Sequence, residues 1–238
     1  MKYLDHSFAL PEHNLAFDEW LLDQCEAGLG DEVLRVWEPR SPFVVLGFSN
    51  PVATETHEAA CRKDRLPLLR RSSGGGTVVQ APGCLNFSLV LKIASNRELR
   101  NISCTNCYVL KQNGAAVAKL VSGKVETKGI SDLALAQKKF SGNAQRRKRV
   151  ALLFHGTFLL KMDLKLISKY LKMPSREPDY REGRSHEEFV TNLNVKAADL
   201  KRELRSVWKA TAESPKLSPD LTPLLKSKFS NPAWNRKY

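Results

Sequence analysis

Apolar positions along the chain change their spacing several times, and each change predicts an element. Over residues 11–27, Ala16, Phe17, Trp20, Leu21 and Cys25 recur at helical intervals, with Asp18, Asp23 and Glu26 elsewhere. Pro11 suits the first turn of that helix and Gly28 its stop. The period then drops to two. Residues 33–37 alternate, Pro39 and Pro42 mark a turn, and 43–47 is a run of buried-strand type. A long extended stretch covers 66–93, broken by Gly74-Gly75-Gly76 and by Pro82-Gly83. Helical spacing returns over 105–121, with Leu110, Val117, Ala118 and Val121 facing inward and Ser122-Gly123 as a stop. Segments 130–136 and 150–162 read as strands, whereas 164–171, 196–210 and 221–229 read as helices. An exposed polar connection fills 174–184, and 214–219 separates the last helix. The pattern predicts an α+β fold, a mixed sheet carrying helices on one face. No repeat or low-complexity tract interrupts it.

Composition narrows the class without changing the fold. With 238 residues, 42% hydrophobic and 26% charged, the chain has room for one sizeable core that needs no disulfide or metal staple. Residues 1–6 lead into the chain without a long apolar run, and no stretch approaches the ~20 residues of a membrane span. The expectation is a cytoplasmic protein without membrane contact. Five cysteines, an odd count, fit a reducing compartment. Cys104 and Cys107 have CxxC spacing, but no second cysteine or histidine pair follows, so two small apolar residues at the start of a helix is the simpler reading. A net charge of +13 favours an acidic partner. Lys and Arg are dispersed and no RRM, KH, zinc-finger or helix-turn-helix signature is present, so nucleic acid is not the expected partner.

Three segments carry candidate chemistry. In Arg70-Arg71-Ser72-Ser73-Gly74-Gly75-Gly76-Thr77-Val78-Val79, three glycines let backbone approach a ligand and offer bare N–H groups to anionic oxygens. The two arginines before them are suited to phosphate or carboxylate. A hairpin turn with solvated arginines is the alternative. A P-loop is excluded, because Thr77 and Val78 stand where lysine and Ser/Thr are required. The second segment, Lys139-Phe140-Ser141-Gly142-Asn143-Ala144-Gln145, sets a lysine just before a glycine turn. The third, Phe154-His155-Gly156-Thr157, interrupts an apolar strand. Alone, Lys139 reads as a solvated charge and His155 as a hydrogen-bonded core residue.

Taken together and in order, the segments resemble the lipoate–protein ligase family within the wider biotin/lipoate ligase group. The likeness begins at Asn14-Leu15-Ala16-Phe17-Asp18-Glu19 and continues through Val44-Val45-Leu46-Gly47, the glycine block and Leu85-Asn86-Phe87-Ser88. It runs on through Asp132, the Lys139 segment and His155-Gly156-Thr157 to Val190-Thr191-Asn192-Leu193, with Trp234-Asn235 as a further match. The resemblance implies a catalytic domain over 1–195, of class II synthetase or biotin–lipoate ligase type, followed by a helical tail over 196–238. It implies activation of lipoate or octanoate by ATP with Mg²⁺ to an acyl-AMP. Transfer to a lysine then follows, on an acidic lipoyl domain of a 2-oxoacid dehydrogenase or on an H-type carrier protein. In that reading Lys139 is catalytic, bridging the acyl carboxylate and the α-phosphate. Arg71 and the backbone of Gly76, Thr77, Val78 and Val79 hold nucleotide. Ser73, Gly74, Gly75 and His155 shape the acyl tunnel, and Asn86, Asp132, Gly142, Gly156 and Thr157 complete the site. No dedicated metal site is expected.

The chain departs from relatives that use other chemistry. Octanoyltransferases without ATP need a thiolate near the lysine, but no cysteine lies beyond Cys107, and Ser175 stands where one branch carries its nucleophile. Cys84, beside Gly83, is the one cysteine that could serve, although a buried apolar role suits it better. A biotin ligase is disfavoured by Ser-Gly-Gly-Gly in place of a Gly-Arg-Gly-Arg block, and a basic nucleic-acid-binding protein is the non-enzyme alternative. The tail is too short for a full accessory domain, which leaves room for a separate accessory subunit. Finally, Arg146-Arg147-Lys148-Arg149 follows the lysine segment directly, so these charges are expected at the rim where an acidic acceptor docks.

Overall fold

A computed structural model describes residues 1–213 and 219–238. Eleven strands are present among them: β1 Lys2–Asp5, β2 Val33–Trp37, β3 Phe43–Leu46, β4 Leu68–Arg70, β5 Val78–Gln80, β6 Cys84–Lys92, β7 Val125–Lys128, β8 Asp132–Leu135, β9 Lys138–Arg147, β10 Ala151–Leu159 and β11 Ala212–Glu213. The helices are α1 Pro11–Glu26, α2 Val52–Glu55, α3 Glu58–Lys63, α4 Ile102–Ala118, α5 Lys165–Tyr170, α6 His186–Phe189, α7 Ala197–Val207, α8 Thr222–Leu224 and α9 Pro232–Asn235. Eight strands form a mixed sheet in the order β11-β1-β2-β6-β10-β9-β8-β7, and β4-β3-β5 form a small second sheet. The α+β expectation is met.

Alternation along the central strands explains the layers. Leu34, Val36, Leu85, Phe87, Leu89, Leu152 and Phe154 face α4 and α7, where Val109, Val117, Leu200 and Leu204 complete one core. The intervening Val33, Trp37, Val90 and Leu153 face Leu15, Phe17, Leu21 and Leu22 of α1, with Phe43 and Val45 of the small sheet. Helices therefore cover both faces, not one as the sequence suggests. The run of buried residues in β6 is the consequence. The segment after residue 196 belongs to the same body: Leu200 and Leu204 fill the first core, Leu221 and Phe229 the second, and β11 pairs with β1. Of the expected separator at 214–219, residues 214–218 lie outside the described residues.

The Asn14–Glu19 motif anchors α1 over the sheet. Arg35 of β2 is fully buried, so its charge requires partners. It donates to Asp18 Oδ1 at 2.5 Å, Asn14 Oδ1 at 2.7 Å and the carbonyls of Asn14 and His6 at 2.9 and 3.0 Å. Glu19 accepts from Ser72 and pairs with Lys228, tying α1 to the glycine block and to the C-terminal segment.

Candidate active site

One cavity of about 810 Å³ opens between the main sheet, the small sheet and the segment 171–190, within the size range of small-molecule sites. Leu15, Trp37, Val45 and Phe87 give it apolar wall, and Lys139 and Asp132 stand in it with the glycine block. Trp37 Nε1, Thr77 Oγ1 and Ser88 Oγ are three of the five buried polar side-chain atoms left unpaired among the described residues, and all three residues line this cavity. Such atoms suit a polar ligand, since leaving them unpaired costs about 1–3 kcal/mol each.

Lys139 Nζ lies 2.8 Å from Asp132 Oδ1. The glycine after it is not a turn. Gly142 sits inside β9, paired with Asp132 of β8 and Thr157 of β10, which corrects the expected lysine-before-turn geometry. Its missing side chain is spatial clearance: a Cβ there would lie 2.8 Å from Lys139 Cε and 2.9 Å from Nζ. Gly156 of β10 similarly admits Asn143, whose Oδ1 would be 1.9 Å from a Cβ. Asn143 in turn donates to Ser131 O and accepts from Ser131 Oγ at its own carbonyl, fixing the β7–β8 edge beside the lysine.

The glycine block is shaped from behind. Arg71 donates to the carbonyls of Gly74 at 2.6 Å, Gly76 at 2.7 Å and Val45 at 3.3 Å, and to Ser73 Oγ at 3.1 Å. Burial lowers its pKa to about 10, still a cation at neutral pH. Arg70 donates to the carbonyls of Gly47, Phe48, Asn50, Trp234 and Asn235. The expectation that both arginines face an anion is therefore corrected for Arg70, while Arg71 lines the cavity. Arg70 is structural, and Arg71 holds the loop in its cavity-facing form. Gly47 permits close approach of the block, because a Cβ there would meet Gly75 O at 2.0 Å.

Ser73 and Gly74 do not line the main cavity, whereas every other residue expected in the site does. Ser73 Oγ lies 2.6 Å from His155 Nε2, and both border a small second cavity with Arg71 and Arg146. Burial, then the neighbouring Arg71, push His155 down to about 3, so its imidazole is neutral near pH 7. Gln80, Asn86 and Thr157 close a hydrogen-bonded ring: Gln80 Nε2 donates to Thr157 Oγ1, Thr157 to Asn86 Oδ1, and Asn86 Nδ2 to Gln80 Oε1.

The basic cluster is elsewhere. β9 runs eight residues from Lys139 to Arg147, roughly 26 Å of extended chain, which carries the cluster to the opposite end of the strand. Arg147 donates to Leu99 O at 2.6 Å, Lys148 pairs with Asp23, and the backbone N–H groups of Arg149, Val150 and Ala151 are held by Glu26. Of the expected docking rim, Arg147 and Lys148 are thus engaged with other groups at the far end of β9, whereas Arg146 borders the small second cavity beside Arg71 and His155. Cys84 is also settled: it is fully buried against Met162, and burial pushes its thiol up to about 12. No cysteine lines the cavity among the described residues.

Residues 10–205 match the sequence profile of the lipoyl protein ligase A/B catalytic domain. The chain belongs to that family. A "Probable lipoate-protein ligase A" of Mycoplasma pneumoniae is 32% identical over 166 residues, covering 69% of this chain and 47% of that one. The octanoyltransferase LipM of Oceanobacillus iheyensis is 27% identical over 203 residues, covering 78% and 73%. The chain thus spans about half the length of the Mycoplasma relative. Among solved structures, a Thermoplasma acidophilum protein with bound lipoic acid superposes with TM-score 0.80 at 21% identity, covering 100% of this chain and 98% of that one. A lipoate-protein ligase A bound with ATP gives 0.78 at 23%, covering 99% and 98%. At these identities the shared property is the fold.

Sequence reasoning missed Tyr180, whose hydroxyl donates to Asp132 Oδ2 at 2.9 Å. The Val190-Thr191-Asn192-Leu193 motif held part of the signal: Thr191 N donates to Lys139 O, and Asn192 closes on Met162 N and O.

Proposed function

We propose that this chain is an ATP-dependent lipoate–protein ligase that activates lipoate or octanoate and transfers it to a lysine of a lipoyl domain or H-type carrier protein in the cytoplasm. In the first step a carboxylate oxygen attacks the α-phosphorus of ATP, and the bond to the bridging oxygen breaks to release pyrophosphate. In the second the acceptor amine attacks the acyl carbon, AMP leaves with its oxygen, and the amine proton passes to solvent. Two anions meet in the first step, so a fixed cation between them is the main requirement. Lys139, held by Asp132 inside a cavity with both apolar wall and glycine-loop backbone, is the observation that carries this reading. Mg²⁺ would be brought into the cavity on the phosphates of ATP. That ion would supply charge neutralisation on the phosphates.

The transferase relative is similar in sequence over 78% of this chain, so chemistry must separate the two. Thioester transfer needs an accessible thiolate, and the cysteines here are Cys25, Cys61 and Cys84, all buried, with Cys104 and Cys107 on α4 away from the cavity lining. The test is the mass of a purified lipoyl domain after incubation with the chain, Mg-ATP and lipoate. One added lipoyl group that requires ATP supports the ligase. Modification from an octanoyl carrier protein without ATP overturns it.

A further inference from the structure

Tyr180 stands beside the Lys139–Asp132 pair on a segment that no part of the proposed chemistry uses. Lys139 takes one oxygen of Asp132 at 2.8 Å, and the Tyr180 hydroxyl takes the other at 2.9 Å. Burial, then the Asp132 carboxylate, push the hydroxyl well above the ordinary tyrosine range, so it remains a donor at all working pH values. A carboxylate bonded at both oxygens cannot rotate without losing one partner.

The tyrosine is itself clamped. Its carbonyl accepts from Arg184 Nη2 at 2.5 Å, while Arg184 Nη1 reaches Gln137 O in the turn before β9. Its ring lies 5.0 Å from Phe189, and the guanidiniums of Arg181 and Arg184 cover the Phe189 ring at 4.8 and 5.3 Å. Gly129 leaves space opposite, since a Cβ there would stand 3.4 Å from Tyr180 Cε1. Val190 bridges directly to Lys139 in parallel register. One end of the segment thus holds the lysine's backbone, and the other holds the carboxylate that holds its amine.

We propose that Tyr180 is a positioning residue for Lys139, acting through Asp132, so that the amine is aimed into the cavity only while the 178–190 segment is seated. The proposal rests on the ligase reading for what Lys139 does, and on geometry alone for how it is placed. Removing the hydroxyl leaves the packing intact and frees one oxygen of Asp132.

Tyr180→Phe tests this in two arms. In the first, acyl-AMP formation from Mg-ATP and lipoate is followed by pyrophosphate release. kcat is expected to fall about tenfold, the loss of one hydrogen bond to a charged group, with KM for ATP and lipoate within about twofold. A proportional rise in KM for ATP would place Tyr180 on the nucleotide and overturn the positioning role, as would an unchanged kcat. The second arm uses no substrate: trace acetylation with acetic anhydride, read by mass spectrometry, with the other lysines as internal standards. Lys139 is expected to label at least about threefold faster in the variant, because its tether becomes mobile, with Tm shifted by less than about 4 °C. Equal labelling in variant and wild type overturns the proposal. If the wild-type chain forms no acyl-AMP, the ligase reading has failed and the labelling arm alone decides on Tyr180.

Discussion

Replacing Gly142 with alanine perturbs the site through a single methyl group. Gly142 lies within β9, where alanine is tolerated by the backbone and even favoured by about 0.5–1 kcal/mol. The added Cβ would stand 2.8 Å from Lys139 Cε and 2.9 Å from Nζ, whereas carbon atoms rest about 3.5–4.0 Å apart. The end of the lysine side chain, being flexible, must retreat by roughly 1 Å, which takes Nζ out of hydrogen-bond range of Asp132. A misplacement of this size at a reacting centre costs about 10²-fold in rate, equivalent to about 2.7 kcal/mol of barrier. Gly142→Ala is therefore expected to lower kcat for acyl-AMP formation about a hundredfold while Tm moves by less than about 4 °C. Lys139→Ala is expected to lose about 10²–10³, and the double variant no more than Lys139→Ala, because both changes act on the same amine. Activity of Gly142→Ala within about threefold of wild type would refute the reasoning, as would additive losses in the double variant.

Gly156→Ala is expected to act on the fold instead: its Cβ would meet Asn143 Oδ1 at 1.9 Å and buried Phe87 at 2.8 Å, an overpacking cost of about 1–3 kcal/mol in denaturant unfolding. His155, held near 3 against 6.5 when unfolded, binds fewer protons in the folded state, so it removes stability as pH falls from about 6.5 towards 3. The slope is at most about 1.4 kcal/mol per pH unit, and His155→Gln should flatten it when unfolding is compared at pH 7 and 5. Arg147→Glu should lower Tm, through loss of its bond to Leu99 O, and leave transfer to an acidic acceptor at low salt unchanged at temperatures where it is folded.

The elements with strong periodicity were legible in the chain itself. The α1 stripe, the alternation of β2 and the long apolar runs of β6 and β10 all arise from burial, which periodicity records directly. β1 and β7 escaped notice because they are short, polar strands near the sheet edges, stabilised by a neighbour more than by their own residues. The glycines misled for a physical reason. Local rules read Gly142 as a turn and Gly156 as a break in a strand, but both are required by contacts with Lys139 and Asn143 that only the paired strands create. Arg70 misled similarly, since nothing local distinguishes a phosphate ligand from a guanidinium absorbed by five carbonyls. Tyr180 was invisible because its partner is 48 residues away in the sequence. Distance along β9 was hidden as well: once Gly142 lies in a strand, the chain carries Arg147 and Lys148 away from the lysine.

Exchange of labelled pyrophosphate into ATP, dependent on lipoate, measures formation of the acyl-adenylate without any acceptor. It is best run on a chain in which Cys25, Cys61, Cys84, Cys104 and Cys107 are all replaced by alanine or valine. The ligase account expects lipoate-dependent exchange at near wild-type rate in the cysteine-free chain, and its loss in Lys139→Ala. Exchange that is absent from the folded wild-type chain, together with ATP-free acyl transfer that disappears with the cysteines, would contradict it.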